Sequence, residues 1–278
     1  SYGGAVAMSK GKFFHGEHCI FANNIADVNG GGVQIEYVNC INIISCSFYK
    51  NKAGIGAGAM NAITGKKNKI RIILNITDSV FLKNTAAKPY GGGIVLRDEN
   101  ELSVASIYNC SFTEHYNGAV NVYYARTVTI SSCNFAYNKN SRWAGCISII
   151  GATVFENSKC RFYANVAYQD GGIMFVDNVK VFTFASCLVL NSEAHFNGGA
   201  IYTKRLKSIT IQRCILQNNT ANLNGGALYF YKTKLLQLIN TSVVENLAKQ
   251  NGGSLYAHDV DSATSVLCNF SRNLALHN

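Results

Sequence analysis

A repeat with a period of about 27 residues constrains this chain more than any other feature. The unit Cys187-x-Val189, Asn191-Ser192, Gly198-Gly199-Ala200-Ile201-Tyr202 returns as Cys214-x-Leu216, Asn219, Gly225-Gly226-Ala227-Leu228-Tyr229. With the cysteine position as origin, units begin at Cys19, Cys46, Ser79, Cys110, Cys133, Cys160, Cys187, Cys214, Thr241 and Cys268. From Cys133 onward every step is 27 residues. A fixed period of this length means a stacked array rather than separate globular cores.

The residues of the unit exclude helix. Gly pairs and β-branched runs are poor helix formers, and alternation at Val128-Thr129-Ile130, Val181-Phe182-Thr183-Phe184 and Ile209-Thr210-Ile211 has the period of a strand. Room for three strands of roughly 4–5 residues per unit, stacked like on like at about 4.8 Å, predicts an all-β fold. We read it as a right-handed parallel β-helix (solenoid) of about ten coils, since parallel crossovers are almost always right-handed.

The columns follow from stacking. Eight cysteines (Cys19, Cys46, Cys110, Cys133, Cys160, Cys187, Cys214, Cys268) share one column, two residues from an aromatic or aliphatic column (Phe21, Phe48, Phe81, Phe112, Phe135, Phe162, Val189, Leu216, Val243, Phe270). Both columns therefore face inward. Parallel Cβ vectors hold stacked cysteines too far apart for disulfides, so the column is expected to contain reduced thiols acting as small apolar fillers. Cys40 and Cys146 lie off the column. Five residues after the origin stand Asn24, Asn51, Asn84, Asn138, Asn165, Asn219, Asn246 and Asn273, with His115 and Ser192 in the two other positions of that column. Asn at a β-helix corner can tie coils together through its amide.

The rhythm fails between 61 and 126. The step from Cys46 to Ser79 is 33 residues and the next, to Cys110, is 31. The surplus predicts two loops leaving the same corner, one basic (Lys66, Lys67, Lys69) and one acidic (Asp98, Glu99, Glu101). Both are expected to be exposed, side by side, and to serve as interaction loops. The following step, from Cys110 to Cys133, is only 23 residues. Asn117-Gly118 arrives early there, and a notch should result. The whole chain, 1–278, reads as one β-helix domain. Its two ends fall in nearly the same phase of the repeat, which suggests a slice of a longer solenoid or an end that stacks on another copy into a filament.

Gly-Gly-Ala-Ile alternating with Phe-x-x-Asn resembles the repeat of the chlamydial polymorphic membrane proteins, and similar repeats occur in protist surface proteins. The first element stands here as Gly198-Gly199-Ala200-Ile201, Gly225-Gly226-Ala227-Leu228 and Gly91-Gly92-Gly93-Ile94. The second stands as Phe21-x-x-Asn24, Phe48-x-x-Asn51, Phe81-x-x-Asn84, Phe135-x-x-Asn138, Phe162-x-x-Asn165 and Phe270-x-x-Asn273. The resemblance spans essentially the whole chain. It implies a secreted or cell-surface adhesin with a β-helix passenger and carries no catalytic residue across. The chain departs from the bacterial pattern in lacking the C-terminal membrane barrel and in being Asn-rich and basic.

Against this background each chemical motif is weak. His15-Gly16-Glu17-His18-Cys19 has metal-ligating residue types, but alternation turns His18 away from Cys19. Asp259-Val260-Asp261 pairs two carboxylates with no acidic partner on a neighbouring coil, and the motifs Asn-Thr-Asp, Asp-Asp, Gly-His-Gly and Arg-Ile-Lys of β-helix galacturonases are missing as a set. No catalytic residue, metal site or cofactor is expected. The net charge of +10 is expected to be thinly spread, with no Lys/Arg column and no nucleic-acid partner. No apolar run approaches the roughly 18 residues of a membrane span. Sequons occur at Asn75, Asn109, Asn218, Asn240 and Asn269. About four would arise by chance in a chain so rich in Asn, Ser and Thr, but Asn109, Asn240 and Asn269 flank inward positions and should point outward. The expected function is a non-enzymatic structural or adhesive rod, extracellular or at the cell surface, with a protein or glycan partner and with self-association through its ends. The alternative is a carbohydrate-binding or polysaccharide-processing β-helix enzyme.

Overall fold

The computed structural model describes residues 3–65, 70–88 and 91–277. Among them every regular element is a β-strand. Coils stack in parallel and pair like with like: Ile201 lies against Leu228, Tyr202 against Tyr229 and Ile211 against Leu238. Ten coils at about 4.8 Å each make a rod roughly 45 Å long.

A regular coil is less even than three equal strands. It has one 12-residue segment (Ile201–Gln212), a three-residue strand (Ile215–Gln217) and a two-residue strand (Thr220–Ala221). The long segment bends without leaving its sheet because Arg205 takes a left-handed backbone angle, φ 58°. Left-handed residues recur at the other two corners as Arg213 (φ 54°) and Asn218 (φ 56°). Such angles cost a non-glycine residue roughly 1–2 kcal/mol, a penalty offset by the ladder bonds on either side of each corner. In three coils the bend splits the long segment in two, for example into Met174–Asp177 and Val181–Ala185.

The inward columns fill the rod. Phe21, Phe48, Phe81, Phe112, Phe135 and Phe162 stack with ring centroids 4.6 to 5.0 Å apart. Each fully buried ring contributes about 1.5–3 kcal/mol of hydrophobic stabilisation. The stack ends where Val189, Leu216 and Val243 take over, still fully buried. The glycine turn is a close approach of backbones: a Cβ on Gly199 would lie 2.1 Å from the Gly226 carbonyl oxygen.

The short step leaves its mark. The two-residue strands form two separate stacks, one ending at Thr85–Ala86 and one starting at Lys139–Asn140. Isolated bridges from Tyr116 to Thr85 and to Lys139 lie between them. At the rod's two ends, Val6–Glu17 pairs with Val33–Ile44 alone and Leu255–Val266 with Leu228–Ile239 alone, so each has one open edge.

Candidate functional site

Most repeated polar side chains are consumed within the rod. The Asn138 amide donates to the Phe112 carbonyl and to Asn165 Oδ1, each at 3.0 Å, while the Asn138 backbone N–H also donates to Asn165 Oδ1 at 3.0 Å. Asn24, Asn51, Asn84, Asn219, Asn246 and Asn273 belong to the same ladder. The cysteine column sits in the hydrophobic core and is a ladder too, a role beyond that of apolar filler. Cys187 N–H donates to Cys214 Sγ at 3.5 Å, Cys46 N–H to Ser79 Oγ at 3.0 Å, and Cys214 N–H to Thr241 Oγ1 at 3.3 Å. Sulfur and hydroxyl fill one role, accepting a backbone donor from the preceding coil. All ten cysteines are free, and Cys19, Cys40 and Cys268 are partly exposed. Burial pushes the Cys46, Cys146 and Cys187 thiols above their ordinary range, so they stay protonated.

The loops are only partly as expected. Lys66, Lys67 and Lys69 lie outside the described residues. Glu99 and Glu101 are exposed, but Asp98 is fully buried. It accepts from Thr64 Oγ1 (2.7 Å), Asn100 N (2.9 Å), Leu102 N (2.8 Å) and Ser103 N (2.6 Å). Burial would raise the Asp98 pKa, but these bonds outweigh it and hold the carboxyl below its ordinary value. Asp98 is thus the anchor of its loop, and the loop meets its neighbour through Asn100 Nδ2 on the Gly65 carbonyl, 3.2 Å.

The notch is present as a cavity of about 490 Å³ lined by Glu114, His115, Tyr116, Tyr137 and Lys139. Asn117 ties together the coils on either side of its own, donating to the Ala86 carbonyl at 2.8 Å and accepting from Ser141 Oγ at 2.7 Å.

Of the sequons, Asn109, Asn218, Asn240 and Asn269 are exposed. Asn75 is half-buried and donates to Asn42 Oδ1 at 2.9 Å. His15 and His18 each face the Glu17 carboxylate, at 3.2 and 3.7 Å, while Cys19 turns inward and donates to the Glu17 carbonyl. Among the described residues no group of three or more His, Cys, Asp or Glu could hold a metal ion. Asp259 and Asp261 are exposed on the last coil. No helix of the described residues is long and apolar enough to cross a membrane, which leaves β-barrels unaddressed.

The surface charge has one local pattern that the expectation of a thin spread does not include. In the half of the long segment after the bend, three positions per coil face outward. Over the nine coils from Cys40–Ile44 to Ser262–Val266, Glu156 is the one charged residue among them. Cations gather at the bend instead. Lys180, Lys207 and Lys234 stand in register on successive coils, as do Arg205 and Lys232, with Lys204 beside them. The Asp177 carboxylate takes Arg205 Nε at 2.8 Å and Nη2 at 2.6 Å. These columns repeat at the coil period in the sequence, where the denser Lys66, Lys67 and Lys69 cluster stands out more.

Alongside runs an outer aromatic column. Trp143, Phe175, Tyr202, Tyr229 and Tyr256 stack with centroids 5.0 to 5.4 Å apart. The ring faces cover one another, so the column presents edges and phenol hydroxyls. Burial first, then nearby carboxyls and phenols, raise the pKa values of Tyr202 and Tyr229, keeping them as O–H donors. On the turn above lies an amide rail: Asn251 Nδ2 donates to Asn224 Oδ1 (2.8 Å), Asn224 Nδ2 to Asn197 Oδ1 (3.0 Å), and Asn197 Nδ2 to Asp170 Oδ1 (2.9 Å).

Comparison with known proteins adds the family. A family profile described as "right handed beta helix region" matches residues 64–271, about three quarters of the chain. No curated protein matches, and no solved structure does.

Proposed function

The chain belongs to the right-handed β-helix region family, and from that footing we propose that it works as a non-enzymatic structural or adhesive rod, at the cell surface or outside the cell, which engages a protein or glycan along its side. The observation that carries this reading is the contrast between the two kinds of column. The Asn and Cys ladders spend their polar groups on neighbouring coils, as in Asn138 to Asn165 at 3.0 Å. What faces outward at the bend is a relief of cations and phenols repeating at the coil pitch, edged on the turn above by an amide rail that is itself bonded from coil to coil. A surface of that form suits lateral contact with an extended partner. The open edges of Val6–Glu17 and Leu255–Val266 are part of the same proposal, as places where further coils or another copy can pair.

Binding of the purified protein to a glycan array and to cell surfaces tests the reading, with recovered ligand analysed for chain length. Ligand bound and returned intact supports the rod. Shortened polysaccharide, reduced by Asp259→Asn or Asp261→Asn, would replace it with the polysaccharide-processing alternative. Sugar found by mass spectrometry on Asn109 or Asn240 of protein from its natural source would place it on the secretory route.

A further inference from the structure

We propose that the cation rows at the bend, with the phenol column beside them, form a binding face for a linear anionic polysaccharide lying along the rod axis. This deepens the lateral-binding reading by naming the ligand chemistry.

Three independent features converge on the same coils. The first is charge. Across the segments Met174–Ala185, Ile201–Gln212 and Leu228–Ile239, Lys180, Lys204, Arg205, Lys207, Lys232 and Lys234 stand with one carboxylate, Asp177, which is taken up by Arg205; Asp170 acts on Lys204 from the neighbouring turn, and on the next coil Asp259 and Asp261, in register with Lys232 and Lys234, close the rows. No other ion pair among the described residues engages these cations. Successive cations of a row are one coil apart, about 4.8 Å. That is shorter than the roughly 8 Å screening length at physiological salt, so over these three coils the cations act together as one short positive ridge.

The second feature is the phenol column. Tyr202, Tyr229 and Tyr256 lie two residues before Lys204, Tyr231 and His258 on the same outward face. Their stacked rings turn edges outward, and aromatic edges carry partial positive charge. Their hydroxyls hydrogen-bond to no described residue. With ring centroids 5.0 to 5.4 Å apart, they form a row of donors favourable to anions and hydroxyls alike.

The third is the amide rail, Asn197, Asn224 and Asn251, on the far side of the phenols. Its pitch is again one coil. A pyranose unit is about as long as one coil step, so over the two coils that carry Asn197, Tyr202 and Lys204 and then Asn224, Tyr229 and Lys232, a glycan laid along the axis would meet a cation, a phenol and an amide per sugar.

The order cation, phenol, amide matches a ligand that alternates carboxylate or sulfate with hydroxyls. Single-stranded nucleic acid fits less well, since its bases need open ring faces to stack on, and here the ring faces are occupied by each other.

Heparin and polygalacturonate serve as anionic glycan probes, dextran as the neutral glycan and oligo(dT) as the competing polyanion, all measured by titration calorimetry on the intact chain. The expected result is binding of at least one anionic glycan that weakens steeply with salt, with no binding to dextran and at least tenfold weaker binding to oligo(dT). Lys180→Gln/Lys207→Gln/Lys234→Gln should weaken glycan binding at least tenfold. Tyr202→Phe/Tyr229→Phe, which keeps the rings, should weaken it about threefold. Lys50→Gln/Lys83→Gln, at a different corner, should leave it unchanged. Equal binding by the triple variant and the wild type overturns the proposal, as does oligo(dT) binding as tight as glycan. If no anionic glycan binds while the glycan array or cell surfaces still do, this inference fails and the lateral-binding reading stands.

Discussion

The sulfur of Cys160 lies 3.4 Å from the backbone nitrogen of Cys133, one coil earlier, and 3.2 Å from the carbonyl oxygen of Ser158 in its own coil. The thiol therefore accepts one bond and donates another at a corner where both backbone groups are shut away from water. This makes the column a chemical ladder, and the presence of Ser79 and Thr241 in it is a substitution of one donor-acceptor for another.

Cys160→Ser should then be tolerated, with stability within about 1 kcal/mol of wild type, because a hydroxyl makes both bonds. Cys160→Ala leaves the Cys133 N–H buried without an acceptor and should cost about 1–3 kcal/mol. Urea unfolding midpoints of the two variants make the comparison. Equal loss in both would return the thiols to the role of fillers.

The coil count, the inward Cys and Phe columns and the Asn corner were legible in the sequence because each is a residue type repeated in register, and stacking turns register directly into contact. The left-handed corners were not, because Arg205, Arg213 and Lys232 have no intrinsic preference for the left-handed angles they adopt. Those angles are imposed by pairing on both sides. The fate of Asp98 was equally hidden, since an Asp-Glu-Asn-Glu run has the composition of solvated loop and only the coil below it, through Thr64, shows which carboxylate turns inward. The bend cations were legible but masked by a denser cluster elsewhere.

The one gap in the second half of the Asn ladder is Ser192. Its hydroxyl faces its own coil's Leu190 carbonyl at 3.4 Å, and the Asn165 N–H has no acceptor of the kind that Asn138 N–H finds in Asn165. Ser192→Asn should restore that bond and the carbonyl contact that Asn219 makes with Val189, raising stability by about 1 kcal/mol. Calorimetric melting reads the gain, and a lower melting temperature would show that the corner cannot admit the amide.

Asp98→Asn is a small change at what reads as a surface loop, yet it should behave as a core substitution. Both carboxylate oxygens only accept, so an amide nitrogen must face either Thr64 and Asn100 or Leu102 and Ser103. A loss of about 1–3 kcal/mol is expected, against no measurable loss for Glu99→Gln. The Asp98 carboxyl is held below its ordinary pKa, so its contribution is present at neutral pH and lost as pH falls through the folded value. Unfolding at pH 7 with both variants at parity would sink the anchor role.

His115 occupies an Asn position and is the most acid-sensitive point of the rod. His115 Nδ1 lies 3.1 Å from both the N–H and the carbonyl oxygen of Asn84, and Nε2 meets no hydrogen-bonding group among the described residues. Burial draws the His115 pKa down to about 4, against an opposing pull from the Asn84 and Phe81 backbone. An unfolded histidine titrates near 6.5. Between those values the unfolded chain binds the proton and the folded chain does not, so stability is complete above about pH 6.5 and is lost as pH falls toward 4. His115→Asn should accept the Asn84 N–H through Oδ1 and reach Phe81 as Asn84 reaches Phe48 at 2.9 Å. The variant should match or exceed wild type at pH 7. At pH 5 it should gain on the order of 2 kcal/mol relative to wild type. Denaturant midpoints for both proteins at the two pH values cancel the titration of every other group. A difference that does not grow between pH 7 and pH 5 would mean that the ring finds water through the neighbouring notch when it is protonated.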